Sequence, residues 1–396
     1  MKPESRRRRE LRWVVDNTIA AVGIDWAWPL SRVVLGSTCP EIQPEITAAI
    51  QRMKKYADIS REFGKLAEKT EAAAQRAEGE AHPVTARELY FSAANLFAAA
   101  QWPIEWDEDE RLHRLSARKN ECYAKYIQHA DHPIEKVEIS FEGKSLPGYL
   151  HLPGRQAGKV PGVLAIGGMD SWKEASVSLY GNKLLQRGMA VLSFEGPGQF
   201  ESSIRQIKYT LEGFPRAGKL AIDFLVKHPA IDPEKIALTG VSMGSFWVPQ
   251  ILAADERPKA AAVGSVCQEP GMQTIFNEAC PSFKSRFMWM SGITDEAEFD
   301  RLAQKMTLKG LGARIKCPLL IVAGEDDELS PIEHTYAFFK ELAGPKKLLV
   351  YEGTKHSVPS PVAQTKFADW LRDRLDGKPV NSEMIYVETT GREVRR

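Results

Sequence analysis

From about residue 132 onward, short apolar runs alternate with amphipathic helical patterns, and this alternation leaves few folds open. Val160–Ile166 precedes a helical pattern at Ser176–Arg187, Ala190–Phe194 precedes Thr210–Lys227, and Lys235–Val241 precedes Gly244–Ala254. Ala260–Gly264 follows, then Pro318–Ala323 with Pro331–Leu342, and Lys347–Tyr351 with Ser360–Leu375. Apolar runs this short read as strands buried on both faces, with the helices between them as covers. The pattern predicts an α/β fold with a mostly parallel sheet and helices on both sides. Ahead of it, Val137-Glu138-Ile139-Ser140-Phe141 alternates as a half-buried strand. Gly148–Leu152 returns after Gly143-Lys144, so a hairpin should form an antiparallel edge.

The first 132 residues have a different texture. Ile46–Glu80 is rich in Ala, Glu, Lys, Arg and Gln with apolar residues at helical spacing. Pro83-Val84-Thr85 opens a second helix whose apolar face is Leu89, Ala93, Leu96, Phe97 and Ala100. Trp102-Pro103 ends it, and Asp107–Gln128 makes another. The expected division is a helical domain at 1–132, an α/β domain at 133–378 and a tail at 379–396. Residues 270–315 interrupt the strand rhythm and read as a helical insertion whose aromatics, Phe276, Phe283, Phe287 and Trp289, are core or pocket wall.

Directly after the strand pattern Lys235-Ile236-Ala237-Leu238-Thr239 stands Gly240-Val241-Ser242-Met243-Gly244. Chance places such a G-x-S-x-G pattern in about one chain in ten of this length. Its position between a strand and a helix makes it a nucleophile elbow: a serine held at the apex of a tight turn, with glycines where side chains would collide. A serine hydroxyl needs a base within hydrogen-bond reach, and the base needs an acid to orient it. In this layout the chain order is nucleophile, acid, histidine. The strand Leu319–Ala323 runs into Gly324-Glu325-Asp326-Asp327-Glu328-Leu329-Ser330-Pro331, which places Asp327 at a strand's carboxyl end. Glu325, Asp326 and Glu328 compete as a solvated acidic loop beside a helix start. His356 follows the next strand, in Glu352-Gly353-Thr354-Lys355-His356. The other seven histidines, His82, His113, His129, His132, His151, His228 and His334, read as surface or packing residues. An oxyanion would be met by the Met243 N–H and by the loop Gly167-Gly168-Met169-Asp170, through Gly168 and Met169.

Together these residues resemble the α/β-hydrolase superfamily across about 132–378. A narrower likeness lies in Gly167-Gly168-Met169-Asp170-Ser171-Trp172-Lys173-Glu174, in Glu195-Gly196-Pro197-Gly198-Gln199, and in a helical N-terminal region containing Trp106-Asp107-Glu108. This looks like the group of 2,6-dihydroxypseudooxynicotine hydrolase, fungal chain-shortening hydrolases of polyketide pigment pathways, and fermentation–respiration switch-type esterases. The resemblance implies an α/β-hydrolase fold with an N-terminal helical cap, a homodimer, no metal or cofactor, and, in part of the group, cleavage of a carbon–carbon bond beside a ketone. It also implies an auxiliary glutamate downstream of the serine, for which Glu269 and Glu278 both stand as matches. Glu269 follows the strand Ala260–Gly264 closely and is the better placed to reach the site. One departure is Phe200-Glu201, where the group continues Gly-Pro-Gly-Gln with Gly-Glu.

Composition narrows the alternatives. With 53 basic and 52 acidic residues the net charge is +1, so no global field favours nucleic acid or a membrane surface. The basic run Arg6-Arg7-Arg8-Arg9 reads as a solvated start. No apolar stretch is long enough to span a bilayer, and no apolar segment follows the basic residues as in a signal peptide. The five cysteines, Cys39, Cys122, Cys267, Cys280 and Cys317, are odd in number and without C-x-x-C spacing, which fits a cytoplasmic protein lacking a disulfide frame or zinc site. The expected function is serine hydrolysis of a small aromatic acyl compound, with carbon–carbon cleavage first. The alternatives are a carboxylesterase, an amide, thioester or peptide hydrolase, or a non-catalytic binding protein on the same scaffold.

Overall fold

The computed structural model describes residues 6–27, 42–154, 158–177, 182–356 and 360–396. Cys39 lies outside them, as do the side chains of Arg6–Arg9. The chain divides into two compact units, one of Met1–Asp131 with Cys280–Trp289, the other of His132–Ala279 with Met290–Arg396. The segment read as an insertion into the second domain is therefore shared: part of its first long helix belongs to the first unit.

The first unit is helical, with α1 (Arg6–Val22), α2 (Gln43–Arg52), α3 (Asp58–Gly79), α4 (Pro83–Ala100) and α5 (Glu110–Gln128). The single helical stretch expected at Ile46–Glu80 is broken at residues 53–57. The reason is local: the Asp58 carboxylate accepts the N–H groups of Lys54 (2.9 Å) and Lys55 (3.0 Å), and Asp16 accepts that of Tyr56 (2.8 Å). Side chains thus satisfy donors that a continuous helix would have used. Asp109 caps α5 by accepting from the Arg111 N–H. In Cys280–Trp289, Arg286 is fully buried, with its guanidinium over the rings of Trp289 (4.2 Å) and Trp102 (4.9 Å).

The second unit carries a ten-stranded sheet in the order β1-β2-β4-β3-β5-β6-β7-β8-β9-β10. Its strands are β1 (Ile134–Phe141), β2 (Lys144–His151), β3 (Val160–Ile166), β4 (Ala190–Phe194), β5 (Ile231–Ser242), β6 (Ala260–Val266), β7 (Leu319–Gly324), β8 (Lys346–Tyr351), β9 (Glu383–Val387) and β10 (Glu393–Arg395). The β1–β2 hairpin pairs antiparallel to β4, and from β4 to β9 every pairing is parallel. This is the fold class expected from the alternation. The helices between the strands include α6 (Phe200–Ile204), α7 (Gly213–Lys227), α8 (Gly244–Ala254), α10 (Glu296–Ala303), α11 (Ile332–Glu341) and α12 (Ser360–Leu375); α9 is Pro281–Ser291. Packing between α7 and α8 rests on Phe214 stacked on Trp247, with ring centroids 3.7 Å apart. Of the helix expected at Ser176–Arg187, the described part ends in a 3₁₀ turn, Leu185–Arg187. Between β6 and β7, Phe276 packs edge-on to Phe299 in the core of the insertion.

The tail expected at 379–396 is corrected: β9 lies parallel to β8 with Tyr386 opposite Val350, and β10 closes the far edge antiparallel to β9. Ile385 and Val387 alternate inward against Phe367, Leu371 and Leu349. The apolar run Met384-Ile385-Tyr386-Val387 is a strand signal, but a short one, in a strand of five residues. Because Ile385 belongs to the core, Ile385→Ala should lower stability by about 2–5 kcal/mol. A urea titration should show a lower midpoint at an unchanged slope.

Candidate active site

Strand β5 delivers Ser242 at its carboxyl end with φ of 54°. This backbone region costs a residue bearing a side chain about 1–3 kcal/mol. The turn is held by close approaches that only glycine allows. A Cβ on Gly240 would lie 2.5 Å from the Gly244 carbonyl oxygen, and one on Gly244 would lie 2.3 Å from that of Ile166. Helix α8 begins immediately after, with Met243 as its N-cap. The β5–β6 register slips here, from Val241 opposite Gly264 to Ser242 opposite Val266. Beyond the slip, the Cys267 thiol stands 3.8 Å from Ser242 Oγ.

The three residues expected from three separate loops meet. His356 Nε2 is 3.0 Å from Ser242 Oγ, and His356 Nδ1 is 2.9 and 3.0 Å from the two carboxylate oxygens of Asp327. An ionised carboxylate accepts only, so Nδ1 carries the proton and Nε2 presents its lone pair to the serine hydroxyl. Asp327 is aimed by its own loop, accepting the N–H groups of Leu329 (2.9 Å) and Ser330 (3.1 Å). Its acidic neighbours have other partners. Glu328 accepts the His356 backbone N–H at 2.8 Å, Glu325 accepts from Tyr386 Oη at 2.7 Å, and Asp326 is exposed.

Burial disfavours the His356 imidazolium, but Asp327, with smaller help from Glu328 and Asp170, outweighs it and raises the pKa above 6.5. The Cys267 thiol is pushed far up, first by burial and then by the charge of Asp327, so it stays neutral beside the serine. An imidazole with raised basicity, 3.0 Å from a hydroxyl and locked in one tautomer, is equipped to take that hydroxyl's proton.

The loop after β3 lies against this group. A Cβ on Gly168 would be 2.8 Å from Ser242 Cβ, so backbone alone fits there. The Gly168 N–H donates to Ser171 Oγ at 3.0 Å. Gln199, fully buried, donates to the Gly168 carbonyl (2.7 Å) and the Gly167 carbonyl (3.2 Å) and accepts from the Gly196 N–H (2.8 Å). Beneath lies a buried charge cluster. Lys173 Nζ is 2.8 Å from Glu174, 2.7 Å from Glu201 and 3.7 Å from Glu195, and Arg205 holds the other oxygen of Glu201 at 2.6 Å. Burial lowers the Lys173 pKa, but the three carboxylates more than reverse this and hold it charged. Phe200, at φ of 20° where the resembling group has glycine, packs edge-on to Trp172.

The two candidate glutamates part company. Glu278 is exposed. Glu269 is buried, with one carboxylate oxygen accepting the Thr274 N–H at 2.8 Å and the other 3.8 Å from His334 Nε2. Its charge reaches Cys267. Of the other histidines, His151 is fully buried beside His132, with nitrogens 2.9 Å apart, and burial holds its pKa down at about 3. Cys122 and Cys280 are buried, and Cys317 is half-buried. Among the described residues, no group of three or more His, Cys, Asp or Glu side chains is disposed to hold a metal ion, and no helix is long and apolar enough to cross a membrane. Lys173, Glu174, Glu195 and Gln199 had one signal in the sequence: charged and amide side chains directly beyond two apolar strand patterns.

Comparison with known proteins gives a consistent set of relatives. The family described as FrsA-like, esterase FrsA-like, matches residues 65–376. The "2,6-dihydropseudooxynicotine hydrolase" of Paenarthrobacter nicotinovorans is 31% identical over 325 residues, spanning 81% of this chain and 85% of that protein. Esterase FrsA of Yersinia pestis is 28% identical over 322 residues, spanning 76% and 74%. The crystal structure of the 2,6-dihydroxy-pseudo-oxynicotine hydrolase superposes with a TM-score of 0.76 at 26% identity, covering 89% of this chain and 98% of that one.

Removing the buried ammonium should be costly, because three carboxylates would remain without it. Lys173→Met is expected to destabilise the fold by about 3–5 kcal/mol, read as a drop in the urea midpoint.

Proposed function

The chain belongs to the FrsA-like esterase family of α/β-hydrolases, and from that premise we propose that Ser242, His356 and Asp327 form its catalytic triad. The observation that carries this reading is the 3.0 Å approach of His356 Nε2 to Ser242 Oγ, with Asp327 on the far side of the ring. In the proposed reaction His356 takes the hydroxyl proton as Ser242 attacks a carbonyl. The oxygen anion is met by the N–H groups of Met243 and Met169, the Gly168 N–H being committed to Ser171. His356 then passes its proton to the departing group, and water releases the acid in a second round.

For the bond cleaved, the leading reading is a carbon–carbon bond next to a ketone in a small aromatic acyl compound. Likeness to the pseudooxynicotine hydrolase over most of both chains supports it. The second reading, a carboxylic ester, is supported by the match to the FrsA-like esterases. Glu269 is assigned a smaller part than its position after β6 first implied. One oxygen accepts the Thr274 N–H and the other lies 3.8 Å from His334 Nε2, and His356 is taken as the proton donor in both readings.

Ser242→Ala should abolish turnover and fluorophosphonate labelling while leaving the urea midpoint unchanged within about 1 kcal/mol; retained turnover would remove Ser242 from its role. Glu269→Gln should change kcat less than about tenfold on both an aryl 1,3-diketone and a nitrophenyl ester. A selective loss on the diketone would instead make it the second acid.

The pH dependence has a definite sign. Reaction needs neutral His356, whose pKa is raised above 6.5, so kcat/KM should climb with pH through a limb lying above that value. Asp327→Asn removes the raising charge and leaves the burial. Its limb should fall to lower pH, with kcat down by about 10⁴-fold. A limb that stays in place would overturn the electrostatic assignment.

A further inference from the structure

Gln199 sits five residues past β4 and is only 1% exposed. A primary amide offers one acceptor oxygen and a donor nitrogen with two hydrogens. Here the oxygen accepts from Gly196 and the nitrogen donates to two successive carbonyls, those of Gly167 and Gly168. These partners fix which end is which, since the reversed amide would face two carbonyl oxygens with a third.

The consequence follows from peptide geometry. A trans peptide unit holds its C=O and the next N–H rigidly in opposite directions, and none of the peptide bonds here is cis. The Gly168 carbonyl and the Met169 N–H belong to one such unit. The Gly168 carbonyl accepts from Gln199 at 2.7 Å and, less closely, from the Ser171 N–H at 3.2 Å, and the shorter bond holds the Met169 N–H pointing away from Gln199. The residue carrying that unit lies against the serine, because a Cβ on Gly168 would be 2.8 Å from Ser242 Cβ. The mount is stiff. Gln199 donates its own N–H to Gly196 (3.0 Å), Glu195 accepts the Glu201 N–H (2.8 Å) and the Lys173 N–H (3.2 Å), and Ser202 Oγ donates to the Glu195 carbonyl (2.6 Å).

We propose that Gln199 is a positioning residue that aims the Met169 N–H at the oxygen anion formed when Ser242 attacks, by clamping the Gly168 carbonyl from behind. This rests on the reading of Ser242 as nucleophile. A donor aimed at the transition-state oxygen acts on kcat and not on ground-state binding.

The test compares wild type with Gln199→Met and Gln199→Glu. The readouts are kcat and KM on a nitrophenyl ester across pH, and inhibition by an aryl trifluoromethyl ketone, whose serine adduct carries an oxygen anion in the same place. Gln199→Met should lose about 10²-fold in kcat and a similar factor in ketone affinity, with KM within about twofold of wild type. Gln199→Glu keeps the shape, and urea midpoints at neutral and alkaline pH check that the fold is retained across the profile. Its carboxyl donates to the Gly168 carbonyl only while protonated, and burial against two carbonyls raises its pKa. It should therefore add a descending alkaline limb absent from wild type and from Gln199→Met. A wild-type alkaline profile in Gln199→Glu, or a folded Gln199→Met with wild-type kcat, would overturn the proposal. Ser242→Ala run alongside separates the two levels. If it stays active, the nucleophile reading falls; if it is inactive while both Gln199 variants match wild type, only the positioning role falls.

Discussion

A serine held at φ of 54° is the constraint around which the α/β unit is organised. Left to itself this backbone would relax, at a gain of about 1–3 kcal/mol. What prevents relaxation is the parallel sheet: β5 is flanked by β3 and β6, and α8 departs so tightly that its first residue meets the end of β3. The strain exposes Oγ at the sheet's carboxyl edge. The same edge receives the loops after β7 and β8, and that is why residues 85 and 114 positions downstream can meet Ser242.

Charge is distributed with the same economy. The proposed triad places its carboxylate where two backbone N–H groups already face it. From there Asp327 raises the basicity of His356. The thiol of Cys267, 3.8 Å from the serine oxygen, is kept neutral by burial and by that same carboxylate, while the serine oxygen faces the imidazole at 3.0 Å. A few residues away, Lys173 is surrounded by three carboxylates in a dry interior. Such clusters contribute little net stability compared with apolar packing, but breaking one is expensive. What this one secures is geometry. It ties the loop after β3 to the loop after β4, and the Gln199 amide bridges the same two loops one layer closer to the serine.

Much of this was legible in the sequence because it follows from period and order. Parallel strands, buried on both faces, announce themselves as apolar runs, and the elbow, Asp327 and His356 each sit at a strand end in the required order. Asp327 could be told from its acidic neighbours only by its spacing from Gly324, and the fold separates them by partner: Glu325 with Tyr386, Glu328 with a backbone N–H. What was not legible depends on register or on long-range pairing. The slip between Val241 and Ser242 that brings Cys267 to the serine leaves no mark in composition. The break before Asp58 needs a side chain to outcompete a helix, and β9 is too short to stand out until β8 offers it an edge. Gln199 was visible as part of a motif, but its position against the backbone appears only when two carbonyls from the loop after β3, 31 and 32 residues earlier, arrive beside it.

The triad itself does not choose between an ester and a carbon–carbon bond. In both proposed reactions, His356 takes one proton from Ser242 and returns it to the leaving atom. An alkoxide departs readily with such help, whereas a carbanion is far more basic and needs its charge delocalised before the proton arrives. No side chain can conjugate with the departing carbon, so that delocalisation falls to the substrate. Carbon–carbon cleavage at this site thus calls for a second carbonyl or an electron-accepting ring conjugated with the departing carbon. A simple unactivated ketone, however well it fits beside Ser242, would form the tetrahedral adduct and return to ketone, because expelling the serine oxygen is easier than expelling an undelocalised carbanion.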